Sequence, residues 1–231
     1  MIKGKFIVID GTDGSGKATQ TKLLIKRLQK TGHKVMYEDF PQYGKKSAGP
    51  VEDYINGVYG TADGLGAYIP SVFYAVDRFA ASARIRKHLK HGFVVVANRY
   101  VTANMAHQGG KIKNPKQRQK YFDWLVELEY NFFKIPRPDL HIILHIPPKI
   151  SMQLIKKRGP QYYTGPKQKD IHEKDIKHLE AAEKIYLQIA KKFHYDVVEG
   201  YANGVLLTPD QVNDKIYPIV EKYLNYGKLR N

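Results

Sequence analysis

The sequence of 231 residues contains no cysteine. A disulfide scaffold, a cysteine-ligated zinc site and a cysteine nucleophile are therefore excluded. Long apolar runs are missing as well, since none approaches the roughly 20 residues that a membrane-spanning helix needs. No signal-peptide pattern opens the chain. We therefore expect a cytoplasmic protein without a membrane partner.

Acidic residues are scarce relative to basic ones: 22 Asp and Glu stand against 38 Lys and Arg, giving a formal net charge of +16. Such a field attracts polyanions, either nucleic acid or nucleotides. Many lysines, such as Lys22, Lys26 and Lys30, are spread along predicted helices and indicate a solvated surface. Because the aromatic residues follow neither an RNP-like nor a zinc-finger pattern, we do not expect a nucleic-acid partner.

Strand-like and helix-like segments alternate along the chain, which is typical of a parallel sheet covered by helices. We predict strands at residues 6–9, 34–39, 92–97, 140–146 and 195–198. Helices are predicted at residues 18–30, 50–56, about 70–91, 115–133, 148–158 and 171–193, with a last helix after the capping box at 208–211.

These segments predict an α/β fold of three layers, in which a five-stranded parallel sheet carries helices on both faces. No repeat, low-complexity tail or linker divides the chain, so residues 1–231 are predicted to form a single domain. A segment at about residues 158–170, rich in glycine, proline and tyrosine, is predicted to be a lid-like loop.

Residues 6–24 combine a short apolar run, a glycine-rich turn and a helical pattern. Gly11, Gly14 and Gly16 allow the backbone to turn tightly and to point several N–H groups at one anion. Lys17 opens the helix, whose positive dipole end faces the same point. The pattern G-x-x-x-x-G-K is that of a P-loop, in which Lys17 reaches the β- and γ-phosphates of a nucleotide. The predicted nucleotide-binding residues are Gly11, Thr12, Asp13, Gly14, Ser15, Gly16, Lys17, Ala18 and Thr19.

Further polar and aromatic residues cluster after the other predicted strands. The segment FPQY (residues 40–43) follows the second strand, and NRYVTANMAHQ (residues 98–108) follows the third. A third group, YAVDR (residues 74–78), lies on the long helix. Because open α/β sheets bind ligands at the carboxyl ends of their strands, we expect these segments and the P-loop to form one site.

Together these motifs resemble the thymidylate kinase family, P-loop enzymes that phosphorylate dTMP from ATP. The resemblance runs from residue 6 to about residue 193 and rests on GTDGSGK, FPQY, YAVDR, NRYVTANMAHQ, LEY…IPRPDLHIILHIPP and DIHEKD, in this order. Adenylate kinases fit less well, because they lack an aspartate at the position of Asp13. The resemblance implies the P-loop NTPase fold, ATP and Mg²⁺ as cofactors, and a homodimer.

The resemblance also implies roles for particular residues. Lys17, Asp13, Arg99 and Arg158 would be catalytic, with Lys167 or Lys169 adding a second lid cation. The residues that would bind dTMP are Asp13, Phe40, Tyr43, Tyr74, Arg78, Arg99, Asn104 and Gln108. Arg99 and Tyr43 would hold the phosphate, Tyr74 would stack on thymine, and Arg78 with Asn104 would contact its polar edge. A solvated basic loop remains an alternative for Arg158, as simple packing does for Tyr43.

Several positions depart from the family pattern. Ala18 replaces the hydroxyl residue that normally holds Mg²⁺, and Thr19 follows one position too late to replace it. Asn98 stands where an aspartate is usual, and His107 and His145 replace a common aromatic residue and a common aspartate. Because Mg²⁺ often relies on the substrate phosphates, we predict no metal ligand from the protein.

The predicted function is therefore phosphoryl transfer from ATP to dTMP. Two alternatives remain open at the level of sequence. One is a related kinase that acts on another pyrimidine nucleotide. The other is a catalytically weakened P-loop protein that binds nucleotides or nucleic acid through its positive surface, because Ala18 and Asn98 both remove metal contacts.

Overall fold

The computed structural model describes residues 4–61, 64–158 and 176–226. Its central strands are β1 (Lys5–Gly11), β2 (Val35–Asp39), β3 (Val94–Asn98), β4 (Leu140–His145) and β5 (Asp196–Glu199). They form one parallel sheet in the order β2-β3-β1-β4-β5, which confirms the predicted sheet. All five carboxyl ends consequently lie along one edge.

Eight α-helices connect and cover these strands in the described part of the chain. They are α1 (Lys17–Lys30), α2 (Gly49–Ile55), α3 (Tyr68–Lys90), α4 (Val101–His107), α5 (Pro115–Val126), α6 (Pro148–Arg158), α7 (Ile176–Phe193) and α8 (Pro209–Tyr226). Short 3₁₀ turns occur at Lys46–Ala48 and Gly109–Lys111, and a π-helix at Glu127–Phe132 continues α5. None of the helices described is long and apolar enough to cross a membrane.

The two faces of the sheet pack against separate apolar cores. Along β1, Phe6 and Val8 belong to the core beneath α3, α4, α5 and α7, whereas Ile7 and Ile9 belong to the core beneath α1 and α8. All four side chains are fully buried. Burial on both faces is the physical reason why the strand reads as a continuous apolar run rather than as an alternating one.

Two predicted helix starts are capped as their sequences indicated. The Asn114 side chain accepts hydrogen bonds from the backbone N–H groups of Lys116 and Gln117, at 2.9 and 3.1 Å. At α8 the Thr208 N–H donates to the Gln211 side chain at 2.9 Å, and the Gln211 N–H donates to the Thr208 hydroxyl at 3.3 Å. This reciprocal pair is a capping box, so the local signals alone located both helix starts.

Other predicted boundaries were wrong. The helix predicted at 115–133 is α-helical only to Val126 and then widens into the π-helix. Helix α4 and a small hairpin of β6 (Tyr201–Ala202) and β7 (Val205–Leu206) were not predicted. Helix α7 is described from Ile176, and both residues 171–175 and the lid-like loop after residue 158 lie outside the described residues.

Candidate active site

A cleft of about 570 Å³ opens at the carboxyl edge of the sheet. The P-loop, the segments after β2 and β3, and residues of α3 and α4 line one part of it. Apolar residues of α6, β7 and α8 line the other part. The predicted site residues that line the cleft are Asp13, Gly14, Ser15, Gly16, Lys17, Ala18, Thr19, Phe40, Tyr43, Tyr74, Arg78, Arg99, Asn104 and Gln108. The structure thus brings together most of the predicted set.

The P-loop folds back on itself just before α1. Gly14 and Gly16 have φ angles of 77° and 87°, which residues with a Cβ rarely adopt. A Cβ at Gly14 would also lie 2.5 Å from the Ser151 backbone oxygen. Only 6% of Lys17 is exposed, and its ammonium donates to the Thr12 backbone oxygen at 2.7 Å. The loop therefore holds a buried cation beside the first N–H groups of a helix, an arrangement that suits a phosphate.

Two predicted nucleotide-binding residues, Gly11 and Thr12, do not line this cleft. Both are buried, and the Gly11 N–H donates to the Asp10 carboxylate at 3.0 Å. A Cβ at Gly11 would lie 2.3 Å from the Leu144 backbone oxygen, so glycine is needed there for packing against β4. Gly11 ends β1 and Thr12 follows it, and their part in nucleotide binding stays a prediction.

Asp13 and Arg99 form an ion pair at the centre of the cleft. Burial by itself raises the pKa of Asp13, but the positive charges of Arg99 and Lys17 outweigh it and hold the pKa well below its usual value. Asp13 is therefore ionised across the physiological pH range. Around Asp13 the arrangement places two cations, Lys17 and Arg99, beside one carboxylate, a local balance that suits the negative charge of phosphate groups.

The backbone of Arg99 explains how its side chain enters the cleft. Its φ angle is 66°, a left-handed conformation that is uncommon outside glycine. The Arg99 N–H still donates to the Ile9 backbone oxygen at 3.0 Å, so the residue remains tied to β1. The turn directs the side chain toward the P-loop, and such a conformation persists where the surroundings hold it in place.

Arg78 extends from α3 into the cleft and is held there by a residue that the sequence prediction missed. Its guanidinium donates to both carboxylate oxygens of Glu129, at 2.6 and 2.7 Å, and both side chains are almost fully buried. Burial lowers the pKa of Arg78, but the Glu129 carboxylate raises it above its ordinary value. The two-pronged contact fixes the plane of the guanidinium.

The same end of the cleft offers an aromatic face and polar groups. Tyr74 lies edge-on to Tyr54, with ring centroids 6.4 Å apart, and the buried Asn104 and Gln108 side chains line the same cleft. Asn104 donates to the Ser71 backbone oxygen at 3.2 Å. The Gln108 side-chain oxygen has no hydrogen-bond partner among the described residues. This set can hold a planar group with a polar edge.

The segment after β2 is held in place by Asp77 of α3. The Asp77 carboxylate accepts from the Gln42 backbone N–H at 2.8 Å and from the Ser47 hydroxyl at 2.6 Å. These bonds hold Phe40 and Tyr43 at the cleft wall, where Phe40 is buried and Tyr43 is half-buried. The segment therefore presents one apolar and one hydroxyl-bearing ring to the cleft.

A carboxylate that the prediction missed lies at the end of β2. The Asn98 side chain donates to the Asp39 carboxylate at 2.8 Å, and both residues line the cleft. The oxygen of the Asn98 amide is buried and has no hydrogen-bond partner among the described residues. Because Asp39 and Asn98 are paired in register on adjacent parallel strands, strand-end reasoning could have placed them together.

The predicted lid cations belong to a part of the chain that the structure does not describe. The described residues include neither Lys167 nor Lys169, nor the side chain of Arg158.

The sequence prediction missed Glu129 because a single glutamate on a helix gives no periodic signal, even though it belongs to the LEY motif. Within the described ranges, no group of three or more His, Cys, Asp or Glu residues could hold a metal ion.

The fold and the cleft define a nucleotide-binding kinase of the P-loop class. A family model described as thymidylate kinase matches residues 9–204. The chain belongs to the thymidylate kinase family and is a nucleoside monophosphate kinase.

Individual relatives agree with this assignment. The chain is 34% identical over 162 residues to a probable thymidylate kinase of Thermococcus gammatolerans, which covers 68% of this chain and 72% of that protein. It is 27% identical over 232 residues to the thymidylate kinase of Orientia tsutsugamushi, covering 98% and 97% of the two chains. The solved thymidylate kinase of Candida albicans superimposes with a TM-score of 0.74 at 21% identity and covers 97% of this chain and 93% of that one. That superposition supports the fold.

Proposed function

We propose that this chain transfers the γ-phosphate of ATP to dTMP and forms dTDP and ADP. Family membership supports the reaction class. The observation that carries the proposal is the single cleft that joins the P-loop and Lys17 to Arg99, Tyr74 and Arg78. A donor site and an acceptor site thereby share one cavity, as transfer between two nucleotides requires.

The proposed roles follow the charges of the cleft. Lys17 contacts the donor phosphates and stabilises the charge that develops on the transferred group. Arg99, whose guanidinium has donors beyond the one used by Asp13, grips the acceptor phosphate, and Tyr43 adds a hydroxyl contact. Asp13 orients Arg99 and lies where it can accept a hydrogen bond from the sugar.

Base recognition belongs to the other end of the cleft. Tyr74 offers a ring for stacking, and Arg78 with Asn104 faces the polar edge of thymine, next to Gln108 and the apolar wall at Phe40. A purine would not match the remaining hydrogen-bonding atoms of these buried groups, and an unmet buried polar atom costs roughly 1–3 kcal/mol. The pocket thus favours a pyrimidine.

Mg²⁺ is proposed to enter as its complex with ATP. Asp39 and Asn98 fit this ion, because a carboxylate and an amide oxygen that has no partner in the described part of the chain are hard oxygen groups of the kind that Mg²⁺ and its waters prefer. Ala18 offers no such atom. The ion, when bound, supplies neutralisation of the phosphate charge. No residue of the chain is proposed to ligate it directly.

A panel of acceptors tests the proposed reaction. ADP release is measured with dTMP, dUMP, dCMP and dGMP, each with and without Mg²⁺, and kcat/KM is compared. We expect dTMP to be the best substrate and the reaction to require Mg²⁺. A purine monophosphate as the best acceptor would contradict the assignment of the base pocket.

A related pyrimidine nucleotide kinase is the second candidate. The Candida albicans enzyme with this fold is described as having a broad substrate specificity, and a higher kcat/KM for dUMP or dCMP than for dTMP would support this candidate. The weakened P-loop protein is tested by Ala18→Thr. If the unmodified chain is inactive on every acceptor and the Ala18→Thr variant transfers phosphate, the chain is a disabled kinase.

We also propose that residues 1–231 form one domain, that the protein acts in the cytoplasm, and that it is a homodimer. The dimer is supported by an exposed apolar stripe on α3, formed by Ile69, Val72, Val76 and Phe79. Spacings of three and four residues place these side chains on one helix face. A second copy of the same stripe is self-complementary and would cover it in a two-fold interface.

A further inference from the structure

Two histidines, His107 and His178, continue the hydrogen-bonded chain that begins with the Asp13–Arg99 ion pair. His107, at the end of α4, lines the cleft and is 9% exposed. Its Nε2 atom lies 3.1 Å from an Arg99 guanidinium nitrogen, and its Nδ1 atom lies 3.2 Å from Nε2 of His178 on α7. The two imidazole rings stack with centroids 5.4 Å apart, and Tyr186 packs edge-on against His107 at 5.8 Å.

The direction of these hydrogen bonds is fixed by Arg99. A guanidinium has only donors, so Nε2 of His107 must accept, and the imidazole is neutral with its proton on Nδ1. That proton is donated to Nε2 of His178. A protonated His107 would instead point an N–H group at the Arg99 cation, so the contact exists in one protonation state and one tautomer.

The surroundings of His107 favour this neutral form. Burial lowers its pKa well below the ordinary value, Asp13 opposes this effect, and the cations Arg99 and Lys17 add to it. Charged groups therefore face His107 from the P-loop and from the end of β3, whereas α7 contributes the His178 imidazole and the Tyr186 hydroxyl, which donates to the Asp10 carboxylate at 2.6 Å.

We propose that His107, oriented by His178, is a positioning residue that sets the plane of the Arg99 guanidinium toward the acceptor phosphate. This inference rests on the proposed function. Asp13 and His107 hold different nitrogens of Arg99, which fixes the rotation of the guanidinium as a single ion pair would not. Since the group carries five N–H donors, three remain beside these two contacts, as far as the described residues show, for the phosphate of the monophosphate substrate.

Two substitutions separate the hydrogen bond from the shape of the ring. His107→Phe keeps an aromatic ring but removes the acceptor, whereas the amide oxygen of His107→Gln can still accept from Arg99. Hydrogen bonds to charged groups are worth about tenfold or more in affinity. We expect His107→Phe to raise KM for dTMP about tenfold without changing KM for ATP, and His107→Gln to keep most of the wild-type value.

The pH profile distinguishes positioning from simple packing. The wild-type kcat/KM for dTMP should fall only on acidification to well below the ordinary histidine pKa of about 6.5, when His107 takes up a proton and repels Arg99. His107→Gln cannot titrate, so its acid limb should move to lower pH. The control variant is His91→Gln, because His91 is exposed and lies at the end of α3. This variant should keep the wild-type pH profile.

A readout without substrate separates this inference from the proposed function. Long-range ¹H–¹⁵N correlations of the imidazoles report the tautomer in the free protein, and we expect an unprotonated Nε2 for His107 near neutral pH. If the tautomer is found but dTMP is not phosphorylated, only the proposed function fails. The inference is overturned by a protonated Nε2, by a KM for dTMP in His107→Phe within twofold of wild type, or by identical pH profiles for wild type and His107→Gln.

Discussion

At the scale of single residues, Lys17 is the side chain whose position is tied most closely to phosphate chemistry. It is almost buried in the P-loop, with its ammonium held by the Thr12 backbone oxygen. Lys17→Met keeps the length and packing of the side chain but removes the cation. We expect kcat to fall by at least about a hundredfold, because a donor aimed at the transferred charge contributes that much.

The measurement is steady-state ADP release together with ATP binding by calorimetry. Lys22→Met on the exposed face of the same helix is the matched control, and its turnover should equal that of the wild type. Turnover of Lys17→Met within threefold of wild type would contradict the assignment of the P-loop.

Glu129 supports a second residue-scale prediction. It is fully buried and neutralises Arg78 through two hydrogen bonds. Removal of one partner of a buried ion pair leaves an uncompensated charge, which typically costs about 3–5 kcal/mol. Glu129→Gln should therefore lower the free energy of unfolding by up to this amount, and it should raise KM for dTMP because the Arg78 plane is released.

Urea denaturation measures the loss of stability, and initial rates measure KM. Glu127→Gln, two residues earlier and exposed, is the control and should change both quantities little. An unchanged KM together with a large loss of stability would restrict Glu129 to a structural role and would remove Arg78 from the base pocket.

The sequence predicted the cleft residues where they follow a strand. Asp13, Phe40 and Arg99 could be placed because parallel strands bring their carboxyl ends to one edge. Glu129 could not be placed, because its partner Arg78 is 51 positions away and no local pattern records such a pair. Gly11 and Thr12 belong to the P-loop motif but do not line the cleft, because a motif defines a segment of sequence, whereas burial decides which of its residues are accessible.

At the scale of elements, His145 joins three parts of the fold. It ends β4, and its two ring nitrogens lie 2.6 Å from Glu199 at the end of β5 and 2.7 Å from Glu183 on α7. Both nitrogens can donate only when the imidazole is protonated. Burial lowers the pKa of His145, but the two carboxylates raise it above its ordinary value overall.

This linkage predicts how stability depends on pH. A group whose pKa is higher in the folded than in the unfolded state stabilises the protein when it is protonated. For His145 this stabilisation is complete below the unfolded-state pKa of about 6.5, and it is lost as the pH rises through the folded-state pKa. The difference in unfolding free energy between wild type and His145→Gln should therefore be about 1–3 kcal/mol near pH 6 and smaller near pH 9.

Urea denaturation at the two pH values checks this expectation. The exposed His91→Gln variant is the control, and its difference from wild type should be small at both values. A difference for His145→Gln that stays constant with pH would show that the ring packs between the strands without carrying a charge.

Element boundaries were predicted well where a cap determines them and poorly where packing does. Asn114 and the Thr208–Gln211 pair located their helices through hydrogen bonds within the segment. The change from α5 to a π-helix, and the short helix α4, are not encoded by a cap. In the π-helix, Glu129 lies buried against Arg78, a tertiary contact that a pattern of neighbouring residues cannot contain.

At the scale of the whole molecule, the apolar stripe on α3 distinguishes one face. Ile69 and Phe79, the two ends of the stripe, are 52% and 48% exposed. Phe132, in the π-helix after α5, is 75% exposed. The Phe79 ring contacts Phe133 at 5.1 Å, and Phe133 contacts Phe132 at 5.6 Å. The stripe therefore continues onto the π-helix, and contiguous apolar surface of this kind marks an interaction site.

The proposed dimer predicts that a charge in the middle of the stripe separates the subunits. Val76→Lys should convert the protein from twice the monomer mass to the monomer mass at micromolar concentration, because a two-fold interface brings the same lysine in from both copies. Sedimentation velocity measures the mass, and circular dichroism confirms that the fold persists. Leu187→Lys, at an exposed apolar position on α7, should leave the mass unchanged. A wild type that sediments as a monomer, or a Val76→Lys variant that stays dimeric, would exclude the stripe as the interface.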